Sequence, residues 1–165
     1  MPSKQKVFIH GSSSISELSE QEKTAIYCLR ICDHSILVGD CEGVDKDIQR
    51  NLIGYKNVSV YHVEDSPRNI LQTCWVQNRI QNPQGKTGMD FYALKDEAMC
   101  RDCDIAVAFW NGSSIGTANN IKRLLRLNKK CVVFLHGTDI VEELDGENRL
   151  REFLENVAKR RKSYG

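Results

Sequence analysis

The sequence predicts an α/β domain of the doubly wound, Rossmann-like kind: a parallel sheet of about five strands with helices on both faces. Two observations carry this. Short apolar runs without polar alternation, at Val7–His10, Ser35–Val38, Val58–Val63, Ile105–Phe109 and Cys131–Leu135, read as strands buried on both faces. Amphipathic helical stretches stand between them, as βα crossovers require, and right-handed crossovers place every strand-to-helix loop on one edge of the sheet. The 165 residues, 41% hydrophobic, suit one domain with its own core. Residues 1–165 therefore read as a single unit, with 139–165 as a C-terminal helical extension.

Taken in order, Val7–His10 is the first strand and Gly11-Ser12-Ser13-Ser14-Ile15 the loop after it. Ser19, with Glu22 three residues on, is a capping box, and Ala25, Ile26, Leu29 and Cys32 share one face of the helix it opens. After the strand at Ser35–Val38, Gly39-Asp40-Cys41-Glu42-Gly43 leads into a helix carrying Val44, Ile48 and Leu52, which ends near Gly54; Val58–Val63 is the third strand. From Glu64 to about Asp90 no period survives, and Pro67, Pro83, Gly85 and Gly88 beside Trp75 mark an irregular stretch, of the kind that is either a functional loop or a disordered one. A helix over Tyr92–Cys103, the strand Ile105–Phe109, a turn at Trp110-Asn111-Gly112-Ser113-Ser114, a helix opened by Gly116-Thr117 and a strand at Cys131–Leu135 follow. From Asp139 onward, Leu150, Phe153, Leu154 and Val157 mark a last amphipathic helix.

Lys and Arg number 23 against 22 Asp and Glu, a net charge of +1. This balance gives no global reason to expect a polyanion. The basic run Lys159–Lys162 follows Glu142, Glu143, Asp145 and Glu147 and reads as a solvated helix end, so no nucleic-acid partner is expected. No stretch approaches the ~20 apolar residues of a membrane span. The N-terminus runs from Met1-Pro2-Ser3-Lys4 directly towards a strand, with no signal-peptide core, so the expectation is a cytoplasmic protein without a membrane partner. Seven cysteines, an odd count, fit a reduced compartment. Cys100 and Cys103 form a C-x-x-C, but no second pair exists and this one closes a helix, so it reads as packing and no metal is expected.

Three glycine-bearing strand-to-helix turns can bring backbone N–H groups close to an anion. Gly11-Ser12-Ser13-Ser14 adds hydroxyl donors. Gly39-Asp40-Cys41-Glu42-Gly43-Val44-Asp45 sets Gly43 at a helix start, but Asp40, Glu42 and Asp45 oppose a phosphate, so this turn is assigned to sugar hydroxyls or capping. Asn111-Gly112-Ser113-Ser114-Ile115-Gly116-Thr117 precedes a helix, combines glycines with hydroxyls and carries no acid; it is the phosphate candidate. Ligands of such sheets bind where the strand order reverses, which sets Gly11–Ser14 opposite Asn111–Thr117. Each turn alone is an ordinary connection, whereas three on one edge favour a shared site.

These motifs, Val7–Ile15, Ile36–Asp40 with Gly43-Val44-Asp45-Lys46, Lys95-Asp96 with Met99, and Phe109–Thr117 with Asn119-Asn120-Ile121, resemble the SLOG superfamily, specifically its small YspA-like, cpYpsA-related branch. The resemblance spans most of the chain. It implies a nucleotide or nucleotide-derived ligand, a homo-oligomer and, in the LOG branch, cleavage of the N-glycosidic bond of nucleoside monophosphates. Ser13 stands where small members commonly have Arg, and Asn119 and Asn120 stand near the position of the LOG-branch Glu. Two amides supply no charge to an oxocarbenium-like transition state, which lowers the enzyme reading.

The expected ligand set is Gly11, Ser12, Ser13, Gly39, Asp40, Gly43, Asp45, Lys95, Asp96, Gly112, Ser113, Ser114, Gly116, Thr117 and Asn120, with Arg68 reaching over from a lid and Trp110 offering a stacking face. For Trp75 and Trp110 packing beside a strand end is the commoner role, and His10 and His62 read as structural. The leading expectation is a sensor of a nucleotide or ADP-ribose-like small molecule, requiring no cofactor beyond a possible bound nucleotide. Its alternatives are a nucleotide N-glycosidase or ribosyl-transfer enzyme, with Asp45, Asp96 or Glu97 as the acid, and a homo-oligomeric assembly protein with a vestigial pocket.

Overall fold

Every apolar run becomes a strand of one sheet in the computed structural model, which describes residues 3–163. The elements are β1 (Lys6–Gly11), α1 (Glu20–Ile31), β2 (Ser35–Val38), α2 (Val44–Asn51), β3 (Val58–His62), β4 (Val76–Arg79), α3 (Gly88–Asp102), β5 (Ile105–Trp110), α4 (Ile115–Arg126), β6 (Cys131–Leu135), β7 (Val141–Leu144) and α5 (Glu147–Ser163). The sheet order is β4-β3-β2-β1-β5-β6-β7. All neighbouring pairs are parallel except β6 with β7.

The period of two within each strand sends alternate side chains to opposite faces, and both faces are covered. Val7 and Ile9 of β1, with Ile36, Val38, Val107 and Phe109, pack against Ile26 of α1 and Ile48 of α2. Phe8, with Leu37, Ala106, Ala108 and Val133, packs against Met99 of α3, Ile121 and Leu124 of α4 and Phe153 of α5. The Rossmann-like α/β class is therefore as expected, but with seven strands rather than about five.

The two extra strands explain the difference. Val76-Gln77-Asn78-Arg79 and Val141-Glu142-Glu143-Leu144 are edge strands with one neighbour each, so neither needs the apolar run by which the inner strands announce themselves. β4 lies in the stretch read as irregular, and β7 opens the stretch read as wholly helical. α3 begins at Gly88, ahead of the expected Tyr92. α5 is more than an extension, because Leu150, Phe153 and Val157 are buried in the core beneath it. The capping box forms as expected: Ser19 Oγ accepts from the Glu22 N–H, and Glu22 Oε2 accepts from the Ser19 N–H at 2.8 Å.

Candidate functional site

β1 and β5 are parallel neighbours with Gly11 opposite Phe109, so their following loops emerge side by side at the carboxyl edge. Contact is direct. The Ser12 N–H donates to Phe109 O at 3.0 Å, the Asn111 N–H donates to Ser12 Oγ at 3.0 Å, and Asn111 Nδ2 donates to Ser14 Oγ at 2.9 Å. Ser12 Oγ also lies 3.4 Å from Thr117 Oγ1. Gly43, at φ +80°, sits where a Cβ would overlap Ser13 O, so the second turn packs on the first. All three glycine-bearing turns thus meet, as the sequence suggests, but the Ser12 hydroxyl is consumed in holding them together.

The third turn is largely self-satisfied. Asn111 Oδ1 accepts the N–H groups of Ser113 (2.9 Å) and Ser114 (2.8 Å) and the Ser113 hydroxyl, and Ser114 Oγ accepts from the Thr117 N–H and Oγ1. Three amides of this segment have no acceptor among the described residues, that of Gly112 and those of Ile115 and Gly116 in the first turn of α4. Gly116 is exposed, and a Cβ there would meet nothing within 4 Å. Earlier in the turn, Arg161 Nη2 donates to Asn111 O at 3.2 Å and lies 2.7 Å from where a Gly112 Cβ would stand. The basic run read as a solvated helix end therefore reaches the phosphate-candidate turn.

The second turn differs most from expectation. Asp40, only 1% exposed, accepts from the Arg68 N–H (2.9 Å), Nη2 (2.9 Å) and Nε (3.4 Å). Asp40 is thereby withdrawn from sugar hydroxyls, and Arg68 is a paired cation, not a free lid contact. Burial draws the Arg68 pKa down, but the hydrogen bonds and charge of Asp40 and the neighbouring Cys41 outweigh it, and the net shift is upward. The guanidinium stacks 4.4 Å from the centroid of Tyr92, whose hydroxyl donates to Glu64 Oε1 at 2.8 Å.

Gly39 leaves room for a buried charge cluster, since a Cβ there would overlap Asp45 Oδ2 and come 3.3 Å from Lys95 Nζ. Lys95, 3% exposed, pairs with Asp96 at 3.1 Å, and Asp45 Oδ2 accepts the Cys41 N–H at 3.1 Å. Burial opposes the charge on Lys95, yet the Asp96 and Asp45 carboxylates hold its pKa above the ordinary value; burial raises that of Asp45 against the pull of Lys95. Lys95 is an internal counter-ion here. Glu97 lies outside the cleft, 3.8 Å from Arg123, whose Nη1 donates to Asn120 Oδ1 at 2.8 Å.

These parts enclose a cleft of about 370 Å³. Of the expected ligand residues, Gly11, Ser13, Asp45, Lys95, Asp96, Ser114, Gly116, Thr117 and Asn120 line it. Trp110 does not: its ring is buried against Phe153 and its Nε1 donates to Ser114 O at 3.0 Å. Trp75 is likewise buried, donating to Tyr55 O. Cys41, Tyr92, Asn119 and Arg123 also line the cleft; Cys41 and Asn119 belong to motifs singled out in the sequence but not to the expected ligand set, and nothing local distinguishes Tyr92 or Arg123. His10, read as structural, also lines it. Its ring stacks on Phe8 at 4.6 Å, neither ring nitrogen has a partner among the described residues, and burial lowers its pKa to about 4 against the raising effect of Asp96. Cys100 and Cys103 pack in the core, where burial pushes their thiols up to about 12 and about 11. Among the described residues, no group of three or more His, Cys, Asp or Glu is placed to hold a metal ion.

No family model and no curated protein matches the chain. A solved structure does: DNA processing protein A from Helicobacter pylori, reported for its single-stranded DNA binding mode, is similar over 97% of this chain and 81% of its own, at 16% identity and a TM-score of 0.59. At that identity the likeness shows the fold. The similar protein binds single-stranded DNA, and this corrects the expected function, a sensor of a nucleotide-like small molecule, and the exclusion of nucleic acid as partner. The exclusion rested on the overall charge balance and on reading Lys159–Lys162 as a solvated helix end, whereas the fold brings Arg161 of that run onto the carboxyl edge. No helix is long and apolar enough to cross a membrane among the described residues.

Proposed function

We propose that the chain binds single-stranded nucleic acid along the carboxyl edge of its sheet, with backbone phosphates on the first turn of α4. The observation that carries this reading is Arg161 on the Asn111–Gly112 turn, the turn that leads into the open amides of Ile115 and Gly116. A guanidinium held on the turn that opens a helix, with the free amides of that helix's first turn, offers a phosphate a full charge together with aligned backbone dipoles. The similar DNA processing protein supports the choice of single strands. So does Tyr92 at the cleft lip: Arg68 covers the ring from one side, yet the residue is 37% exposed and retains surface on which an unpaired base stacks. The resemblance of the glycine turns to the SLOG superfamily belongs to this proposal, as does a cytoplasmic location, supported by seven free cysteines.

Fluorescence anisotropy with a labelled oligothymidylate and a duplex of equal length tests it. Binding should favour the single strand and weaken from about 50 to about 200 mM salt, with a log–log slope of about −0.7 per phosphate neutralised. Gly116→Asp, which has space for its side chain, sets a carboxylate at the helix N-terminus and should weaken binding about fivefold, the equivalent of about 1 kcal/mol. Equal affinity for duplex, or no binding at the lower salt, refutes the proposal.

A further inference from the structure

A second hollow, about 520 Å³ in volume, lies between the β6–β7 connection and the end of α5. Leu135, Ile140 and Val157 give it apolar surface, and His136, Arg160 and Arg161 supply its basic groups; Asp139 is the acid in its lining. It adjoins the turn that leads into α4, because Asn111 and Arg161 line it and are themselves joined by a hydrogen bond. It also has a fixed wall: His136 Nδ1 lies 2.9 Å from Oε2 of the buried Glu22, which anchors the start of the β6–β7 connection to the capping box of α1.

Apolar surface bordered by two guanidinium groups suits a ligand that is flat and apolar in its body and anionic at its edge. A nucleotide unit of a single strand has that form, and Arg is the side chain that both stacks on a base and forks onto a phosphate. Arg160 reaches beyond this hollow as well, since with Ile140 and Val157 it lines a neighbouring one beside Phe153. Resting on the reading of the carboxyl edge as a single-strand site, we infer that this hollow is a base-accepting subsite. It takes the nucleotide adjoining the one on the α4 turn, with the base against Ile140 and Val157 and its phosphate held by Arg160.

Oligothymidylates of increasing length, some carrying the fluorescent base 2-aminopurine at successive positions, test this on the full chain. Affinity should step up at the length that first spans both subsites, and one 2-aminopurine position should change its emission on binding. Arg160→Ala, at an exposed residue whose loss leaves the core intact, should remove the step and the emission change. Arg151→Ala, an equal charge loss on an exposed part of the same helix, should change neither. If oligonucleotides bind but no length step appears, or if both variants act alike, the subsite is refuted and the single-strand reading stands. If no oligonucleotide binds, both fall. If Arg160→Ala binds every length as the parent does but loses affinity for polyglutamate, the hollow belongs to an acidic peptide and the inference is overturned.

Discussion

Replacing Lys95 by Met tests the charge cluster under Gly39. Lys95 is 3% exposed, Asp96 pairs with it at 3.1 Å, and Asp45 is buried within reach of the same ammonium. Met keeps most of the volume and removes the charge, leaving two carboxylates facing each other across the cleft floor. Breaking a buried pair by deleting one partner costs about 3–5 kcal/mol, because the surviving charge stays desolvated. That cost depends on pH in a definite direction. Asp45 already titrates above its ordinary value, and without Lys95 its pKa rises further. A carboxyl with a raised folded pKa destabilises the fold above that pKa and is relieved as pH falls through it. Urea unfolding at about pH 5 and about pH 8 should therefore show a larger defect at the higher pH. Asp45→Asn in the Lys95→Met background should restore part of the loss. A cost under about 1 kcal/mol, a defect independent of pH, or no rescue by Asn refutes the view of Lys95 as an internal counter-ion.

Three further outcomes follow from the geometry. His10→Leu should flatten the acid limb of stability: the native imidazole, held near a pKa of about 4 against 6.5 unfolded, supplies stability that is complete above 6.5 and lost as pH falls through about 4, on the order of 3 kcal/mol. An unchanged slope in pH-dependent urea titrations contradicts this. Glu22→Gln, at a buried carboxylate that serves both the Ser19 N–H and His136, should cost about 1–3 kcal/mol by chemical denaturation. Gly112→Ala, at φ +80°, should cost about 1 kcal/mol through left-handed strain and also weaken oligonucleotide binding, because the new Cβ displaces Arg161. Stability loss without a binding change would separate Arg161 from the site.

The inner sheet was legible because a strand buried on both faces has to be apolar throughout, and Val7–Ile9 and Ile105–Phe109 are. The edges were not, since Gln77, Asn78, Glu142 and Glu143 satisfy one neighbour and solvent together. In the site, glycine revealed where the backbone turns, because Gly43 and Gly112 hold positive φ that other residues resist. What glycine could not reveal was which polar and charged groups pair. Asp40 with Arg68, Asp45 with Lys95, and Asn111 with Arg161 are brought together by crossovers across 28 to 50 residues of chain, and no local spacing records them. The same limit misdirected the functional reading: neither the near-neutral total nor the acidic residues preceding Lys159–Lys162 record that the fold carries Arg161 to the Asn111 turn.

The antiparallel course of β7 has a consequence for how the last helix meets the ligand edge. α1, α2 and α4 each leave the carboxyl edge after a parallel strand and run away from it, pointing their N-terminal amides at whatever binds. β7 carries the chain to the opposite edge first, so α5 starts there and its 17 residues, about 25 Å of helix, travel back. One four-residue strand thus inverts the polarity of a helix. The end that arrives is the C-terminal one, whose dipole repels anions, and Arg160, Arg161 and Lys162 more than reverse its sign. The edge is in this way supplied with positive potential from two chemically distinct sources, backbone dipoles from outgoing helices and guanidinium groups from an incoming one. Deleting β7 while retaining α5 would carry the second source to the far side of the sheet.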